Sequence, residues 1–335
     1  MRDIKVSLVG YGIVGHGVVD VLNRKRRTLR DMGLNLSLVS VTDHTGTVFA
    51  EDGVDAERIL PERTLANVAT SAMKGKEAID SVDSDLVIEV TPTNIVHGQP
   101  GLGHMEAALS SGKHVVTSNK GPLVVSYSRL RKLAEDNGVM LKFEATAGGT
   151  MPLISLVERT LVGNTIQGIR GIFNGTCNYI LTRMAEEGIP YSHALSEAQD
   201  LGIAEADPSY DVEGVDTAGK VVILANSLFN MNVKYSDVDV TGITGVTPEA
   251  LALARKRGYV IKLIGEMPAL TVRPMLVPVN SPIAVSGTLN SAAIYTDLSG
   301  TITVTGMGAG SIETASAILT DIISIYRTRR IDAIF

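Results

Sequence analysis

The sequence predicts an α/β chain, with an N-terminal doubly wound parallel sheet followed by an α+β second domain. Three observations carry this. Strand-like and helix-like runs alternate up to about residue 140, as a parallel sheet with crossover helices requires. A glycine turn joins the first of these strands to the first helix. Beyond residue 140 the runs become longer and β-rich, and they are separated from helical patterns as in an α+β domain.

Taken in order, residues 4–9 form a short apolar strand, and Gly10-Tyr-Gly12-Ile-Val-Gly15 turns into a helical pattern containing Val18, Val19 and Leu22. Residues 36–41, 86–90 and 114–117 read as further strands, with helical patterns at 103–111 and 127–137. The second part offers β-rich runs at 140–145, 165–173, 260–267, 270–277, 284–287, 293–298 and 301–305. Helices are expected there at 151–161, 178–187 and 215–230. A last helix, 311–327, follows the late glycine turn Gly306-Met-Gly308-Ala-Gly310.

A length of 335 residues suits two domains and a large core, and 44% hydrophobic with 20% charged residues is a globular balance. A formal net charge of -6 argues against nucleic acid as a partner, because phosphate binding needs a basic surface. The basic run Arg24 to Arg27 reads as an exposed helix face. Strand-like residues begin at Ile4, leaving no signal-peptide pattern, so a cytoplasmic location is expected. The uncharged-looking stretch 274–296 is broken by Pro278, Pro282 and Gly287, so no membrane association is expected. A single cysteine, Cys177, excludes an intrachain disulfide, and the six histidines lack zinc-ligand spacing.

The glycine turn is the signature of a Rossmann-type dinucleotide site. Gly10 permits the tight turn, Gly12 lets backbone approach a pyrophosphate and Gly15 packs helix on strand, while Ile13 and Val14 open the helix whose N-terminus favours the anion. Asp43, at the end of the second strand, suits a ribose 2′-hydroxyl, as NAD requires. It lies further from the glycines than the usual ~20 residues, and His44, Thr45 and Arg58 lie within reach of softening its charge, so NAD and NADP both stay open. Ligands bind beyond the carboxyl ends of such strands. Two segments sit there: Thr91-Pro92-Thr93-Asn94, and Ser118-Asn119-Lys120-Gly121-Pro122, which brings a cation.

From Glu205 to Lys220 the acids Glu205, Asp211 and Asp216 precede a lysine at the start of an apolar helix. Asp216 and Lys220 are four residues apart and share a helix face. Because residues 215–229 are apolar nearly all round, the pair is expected in an enclosed cleft rather than in bulk water. An ordinary helix-stabilising ion pair is the competing reading.

These segments together carry a resemblance. The glycine turn, Glu89-Val-Thr91-Pro-Thr-Asn94, Thr117-Ser-Asn119-Lys120, Glu144-Ala-Thr-Ala-Gly-Gly, Gly175-Thr176-Cys-Asn178-Tyr-Ile-Leu and the acidic stretch ending at Lys220 resemble homoserine dehydrogenases, in order and along essentially the whole chain. The resemblance implies NAD(P)H-dependent interconversion of L-aspartate 4-semialdehyde and L-homoserine, on the route to threonine and methionine. It implies Lys220 as proton donor, Lys120 as second lysine, and Glu205, Asp211 and Asp216 as substrate-side acids. Gly175 and Thr176 would lie at substrate and nicotinamide, with Gly308 returning to the cofactor. Glu144 and the carbonyls of Ala147, Gly149 and Met151 would hold a monovalent cation such as Na+.

A homodimer through the second domain is implied in the same way. The domains expected are then a nucleotide domain at 1–140, a substrate-binding, catalytic and dimerisation domain at 141–310, and a helix at 311–335 returning to the first. No regulatory domain is expected after Phe335. Two rivals remain: a thiol-dependent semialdehyde dehydrogenase, with Cys177 activated at a helix N-terminus, and a catalytically silent NAD(P)-binding sensor.

Overall fold

The glycine turn ends the central strand of the first sheet. In the computed structural model, which describes residues 1–327, the strands are β1 (Arg2–Val9), β2 (Leu34–Thr42), β3 (Thr47–Phe49), β4 (Leu86–Glu89), β5 (His114–Thr117) and β6 (Leu141–Lys142). Their order is β3-β2-β1-β4-β5-β6, parallel except for the antiparallel edge strand β3. The chain moves outward from β1 through β2 and then returns to β1's other side with β4. That reversal opens the ligand crevice of a doubly wound sheet at the ends of β1 and β4. Leu86, Val87 and Ile88 are wholly buried, as expected of a strand covered on both faces.

The helix Ser311–Tyr326 packs on the helix Ile13–Asp31 within this same unit. Gly17 makes the approach possible, because a Cβ there would strike the Ser311 backbone, while Ser311 Oγ donates to Ile13 O at 2.7 Å. Ile318, Ile322 and Tyr326 join the core of β1 and β2. The described chain thus divides into residues 1–146 with 310–327, and Ala147–Ala309. Residues 328–335 of the expected last segment lie outside the described residues.

The run at 140–145 differs from expectation. Leu141–Lys142 pairs with β5 in the first sheet, and Glu144–Thr146 is a 3-10 turn, so the run is not the opening of the second sheet. The helix expected at 127–137 starts at Lys120. Asn119 caps it by accepting from Gly121 N at 3.1 Å, and Pro122 falls in its first turn, where a missing N–H removes no helical bond.

The second unit is built on β7 (Ile166–Ile172), β8 (Asp239–Val240), β9 (Tyr259–Met267), β10 (Thr271–Pro278), β11 (Leu289–Thr296) and β12 (Thr301–Met307). They are ordered β12-β11-β7-β9-β10-β8 and antiparallel except between β10 and β8. The helix Val215–Leu228 lies directly on β9. A Cβ at Gly265 would come within 3.0 Å of the Phe173 ring and 2.9 Å of Val221 Cγ2.

Residues 284–287 form a loop, not the expected strand. Its backbone is held by a side chain instead, with Asn178 Nδ2 donating to Val285 O at 3.2 Å and to Leu289 O at 2.9 Å. Residues 151–161 form the short helix Leu153–Ser155 and a π-helical turn, Leu156–Thr160. Among the described residues no helix is long and apolar enough to cross a membrane.

Candidate active site

In the first unit the three glycines divide their work as the motif requires. Gly10 has φ +108°, and a Cβ there would lie 2.6 Å from Val90 O, so β1 and β4 could not close up at the turn. Gly15 abuts the Gly10 carbonyl. Gly12 has nothing within 4 Å of its Cβ position, which leaves open the space a pyrophosphate would take at the start of Ile13–Asp31. Ile13 is exposed and Val14 half-buried beside it.

Asp43 is half-buried after β2, where Oδ1 accepts from Thr45 N at 2.7 Å and Oδ2 from Leu65 N at 2.8 Å. Burial opposes its ionisation, but the bonds from Thr45, Leu65 and Gly46 outweigh it and hold the carboxyl below the usual range. Arg58 donates to Val68 O at 3.4 Å, so its guanidinium is engaged away from Asp43. Thr91 and the exposed Pro92 follow β4, and Asn119 and the half-buried Lys120 follow β5. Asn119 Nδ2 reaches Thr91 Oγ1 at 3.4 Å, joining the two segments.

In the second unit Asp216 and Lys220 are 5% and 6% exposed, so the pair is enclosed as the apolar helix led one to expect. Lys220 Nζ donates to Asp216 Oδ2 at 2.6 Å and to Phe173 O at 2.5 Å. Two of three ammonium protons are so engaged, and the third makes no hydrogen bond among the described residues. Asn174 ties the acids together, donating to Asp211 Oδ1 at 2.7 Å and Asp216 Oδ2 at 3.0 Å. Its Oδ1 caps the helix Gly175–Glu187 by accepting from Cys177 N at 2.8 Å.

Burial, and then the charge of Asp216, push the Asp211 carboxyl above its ordinary range. The backbone amides of Gly175 and Thr176, at the first two positions of that helix, donate no hydrogen bond among the described residues. Helix N-termini with free amides are anion sites. Thr288 O packs against Gly175 so closely that a Cβ would sit 2.7 Å from it.

Two residues stand apart from this arrangement. Glu205 is exposed, Gln199 Nε2 donates to its backbone carbonyl at 3.1 Å, and among the described residues its carboxylate stands outside the Asn174 network. Cys177 is wholly buried and donates to Asp211 O at 3.1 Å. Burial, with Asp211 and Asp216, pushes its thiol well up, so no reactive thiolate forms despite the helix N-terminus. Cys177→Ser is accordingly expected to keep turnover within about threefold, because the hydroxyl can take over the bond to Asp211 O; abolished activity in the folded variant would restore the thiol mechanism.

Gly308 lies in the turn after β12, where the Asn290 side chain fills the place of a Cβ, and Gly149, at φ +60°, lies against the Gly308 carbonyl. Ala147 and Met151 are buried in this unit, whereas Glu144 is buried in the first.

A family model described as the homoserine dehydrogenase NAD-binding domain matches residues 10–144, and one described as homoserine dehydrogenase matches residues 152–323. The chain belongs to the homoserine dehydrogenase family. It is 48% identical to the homoserine dehydrogenase of Methanocaldococcus jannaschii, covering 97% of this chain and 99% of that one. It is 36% identical to an NAD(+)-dependent homoserine dehydrogenase of Pseudomonas canavaninivorans, over 98% of this chain and 97% of the relative. A crystal structure of a putative homoserine dehydrogenase from Archaeoglobus fulgidus superposes with a TM-score of 0.92 at 46% identity, covering 97% of this chain and 100% of that one. A hyperthermophilic archaeal homoserine dehydrogenase mutant in complex with NADPH gives 0.84 at 28% identity, covering 97% and 98%.

The chain is thus an NAD(P)-dependent oxidoreductase acting on a small-molecule substrate, and its homoserine dehydrogenase activity interconverts L-aspartate 4-semialdehyde and L-homoserine. Three further polar residues were not singled out from the sequence. Asn174 was visible only as an N-cap type just before a helical run. Tyr210, whose buried hydroxyl finds no partner among the described residues, lies beside Asp211 in the chain. Burial, Asp216 and Asp211 all raise its pKa, so it remains a hydrogen-bond donor. Glu89, quoted only as part of a motif, is wholly buried.

Proposed function

We propose that Lys220 is the group that meets the developing alkoxide in the homoserine dehydrogenase reaction. The observation carrying this reading is a buried ammonium fixed by Asp216 and the Phe173 carbonyl with one proton to spare. A bound nicotinamide supplies or accepts the hydride at the carbonyl carbon. Negative charge then develops on the substrate oxygen, and a cation held in a dry site stabilises it and gives the proton. Asp216 orients Lys220, and Asn174 keeps Asp216 in place.

The substrate's α-ammonium is assigned to Asp211, with the exposed Glu205 as an outer acceptor. Its carboxylate is assigned to the free amides of Gly175 and Thr176. Lys120, at the start of the helix after β5, is the second cation. Gly10, Gly12, Ile13, Val14, Gly15, Thr91, Pro92, Asn119 and Gly308 are assigned to the cofactor. For a monovalent cation, the carbonyls of Ala147 and Gly149 accept no hydrogen bond among the described residues, whereas Met151 O accepts from Leu153 N at 2.8 Å. Ala147 and Gly149 therefore suit that ligand set better than Met151, with Glu144 kept on resemblance. The homodimer rests on the family resemblance, and the cytoplasmic location is kept as expected from the sequence.

NAD is preferred over NADP in this reading. A carboxyl held below its usual range at Asp43 accepts from a ribose hydroxyl and repels a 2′-phosphate, and the Arg58 guanidinium is engaged by Val68 O. Homoserine-dependent reduction of each cofactor tests both points at once. Turnover is expected with both, with kcat/KM for NAD+ at least about tenfold the higher, since like-charge juxtaposition costs over 1.4 kcal/mol, roughly a factor of ten. A preference for NADP+ would remove the role of Asp43, and absence of homoserine-dependent reduction with either would remove the function.

A further inference from the structure

The first unit buries a carboxylate behind its cofactor residues. Glu89, at the end of β4, is 0% exposed. Its Oε1 accepts from Thr91 N at 3.1 Å and, in a short bond, from Thr91 Oγ1. Oε2 lies 3.4 Å from Thr117 Oγ1, which also donates to Glu89 O at 2.8 Å and accepts from Asn119 N at 2.9 Å. His104 Nδ1 stands 3.5 Å from Oε1. A Cβ on Gly101 would lie 3.1 Å from Oε2 and would collide with Asn119 Nδ2, so the helix Gly101–Ser110 packs directly over the carboxylate and the amide.

A buried carboxylate is costly to keep unless it is fully engaged. Here its partners are the hydroxyl and amide of Thr91, while the one Thr117 hydroxyl proton goes to the Glu89 carbonyl and the same oxygen accepts from Asn119 N, so that the carboxylate holds Thr91 and the Thr117 hydroxyl holds Asn119. Thr91 and Asn119 face each other across the ends of β4 and β5, with Asn119 Nδ2 3.4 Å from Thr91 Oγ1. The hydroxyl proton of Thr91 points to Glu89, so Thr91 Oγ1 presents only its acceptor side outward. Left to itself that hydroxyl would rotate among staggered wells, and Asn119 would lose its partner.

We propose that Glu89 is a positioning residue for the cofactor, fixing the Thr91 hydroxyl as the acceptor that meets Asn119. The proposal rests on the reading that Thr91 and Asn119 touch the cofactor. Charge-assisted bonds of this type are about twice as strong as neutral ones, and supports behind ligand-contacting groups set affinity through orientation.

The test is a binding cycle with the full chain, using NADH and NADPH fluorescence to obtain Kd for the parent, Glu89→Gln, Thr91→Val and the double variant. Glu89→Gln preserves volume and still accepts from Thr91. It is expected to weaken binding of the preferred cofactor about threefold to fivefold, while the apparent KM for homoserine stays within twofold. On a Thr91→Val background the same change should have no effect, because the orientation it controls is already gone. Glu89→Leu, which accepts nothing, should weaken binding at least tenfold, and rescue of that loss by Gln separates positioning from packing. Equal effects of Glu89→Gln on both backgrounds, or an unchanged Kd in both Glu89 variants, would overturn the proposal. If Glu89→Leu does not fold, the cycle with Glu89→Gln decides alone. Failure of the underlying reading looks different: Thr91→Val and Asn119→Ala would then leave Kd unchanged.

Discussion

Replacing Lys220 with alanine is expected to lower kcat for homoserine oxidation by about 10²- to 10⁴-fold, the span associated with loss of a positioned proton-transfer group. Cofactor Kd should stay within about twofold, since Lys220 is not among the residues assigned to the cofactor. The variant also removes the ammonium 2.6 Å from the buried Asp216, and breaking a buried ion pair costs roughly 3–5 kcal/mol. Some loss of stability is therefore expected together with the loss of rate, and the rate must be measured on material whose thermal transition lies well above the assay temperature. Lys220→Arg separates the two roles of the ammonium. It keeps a cation beside Asp216 but does not release a proton in the accessible range. If proton transfer is the role, Arg should also fall by at least about a hundredfold. If charge alone suffices, Arg should recover most of the activity, and Lys220 would be an electrostatic group only. Wild-type turnover in folded Lys220→Ala would remove it from the chemistry.

What the sequence disclosed about this site follows the range of the interactions involved. The glycine turn was legible because its constraints are local: a φ of +108° at Gly10, open space at Gly12 and helix packing at Gly15 all fall within a few residues. Asp216 and Lys220 were legible because helical spacing alone puts them side by side. Asn174 was not, since the carboxylates it joins lie 37 and 42 residues away. Glu205 shows the converse. It belongs to the same acidic stretch, yet Gln199 of the helix Tyr191–Asp200, which no apolar period announced, pins its backbone with the carboxylate outside the network. The strand expected at 284–287 failed because β-propensity was read without Asn178, whose amide holds the loop's carbonyls from 107 and 111 residues away.

The same Asn178 leads to Lys262, a lone lysine in the apolar run of β9, and to the second large effect. Lys262 is 3% exposed, and Nζ donates to Asn178 Oδ1 at 2.8 Å and Thr182 Oγ1 at 3.1 Å, with no carboxylate in the network. Burial pushes its pKa down from 10.5 to about 8, and Glu186 only partly opposes the shift. Below about pH 8 both folded and unfolded chains hold this proton, and the fold carries a penalty on the order of 3 kcal/mol. Between about 8 and 10.5 the folded state releases it first while the unfolded chain keeps it, so stability from this group rises with pH and the penalty is gone above that window. Lys262→Met removes the titration while filling similar space, and the unpartnered Asn178 oxygen it leaves adds only a pH-independent offset. Urea unfolding followed by circular dichroism at several pH values from 7 to 10.5 should therefore show wild type gaining on the variant by up to about 3 kcal/mol. Other groups that titrate in this range are common to both proteins and cancel in the difference. A flat difference across the window would mean that the two neutral acceptors are enough to keep the buried ammonium charged, and that Lys262 acts as a permanent cation tying the helix Gly175–Glu187 to β9.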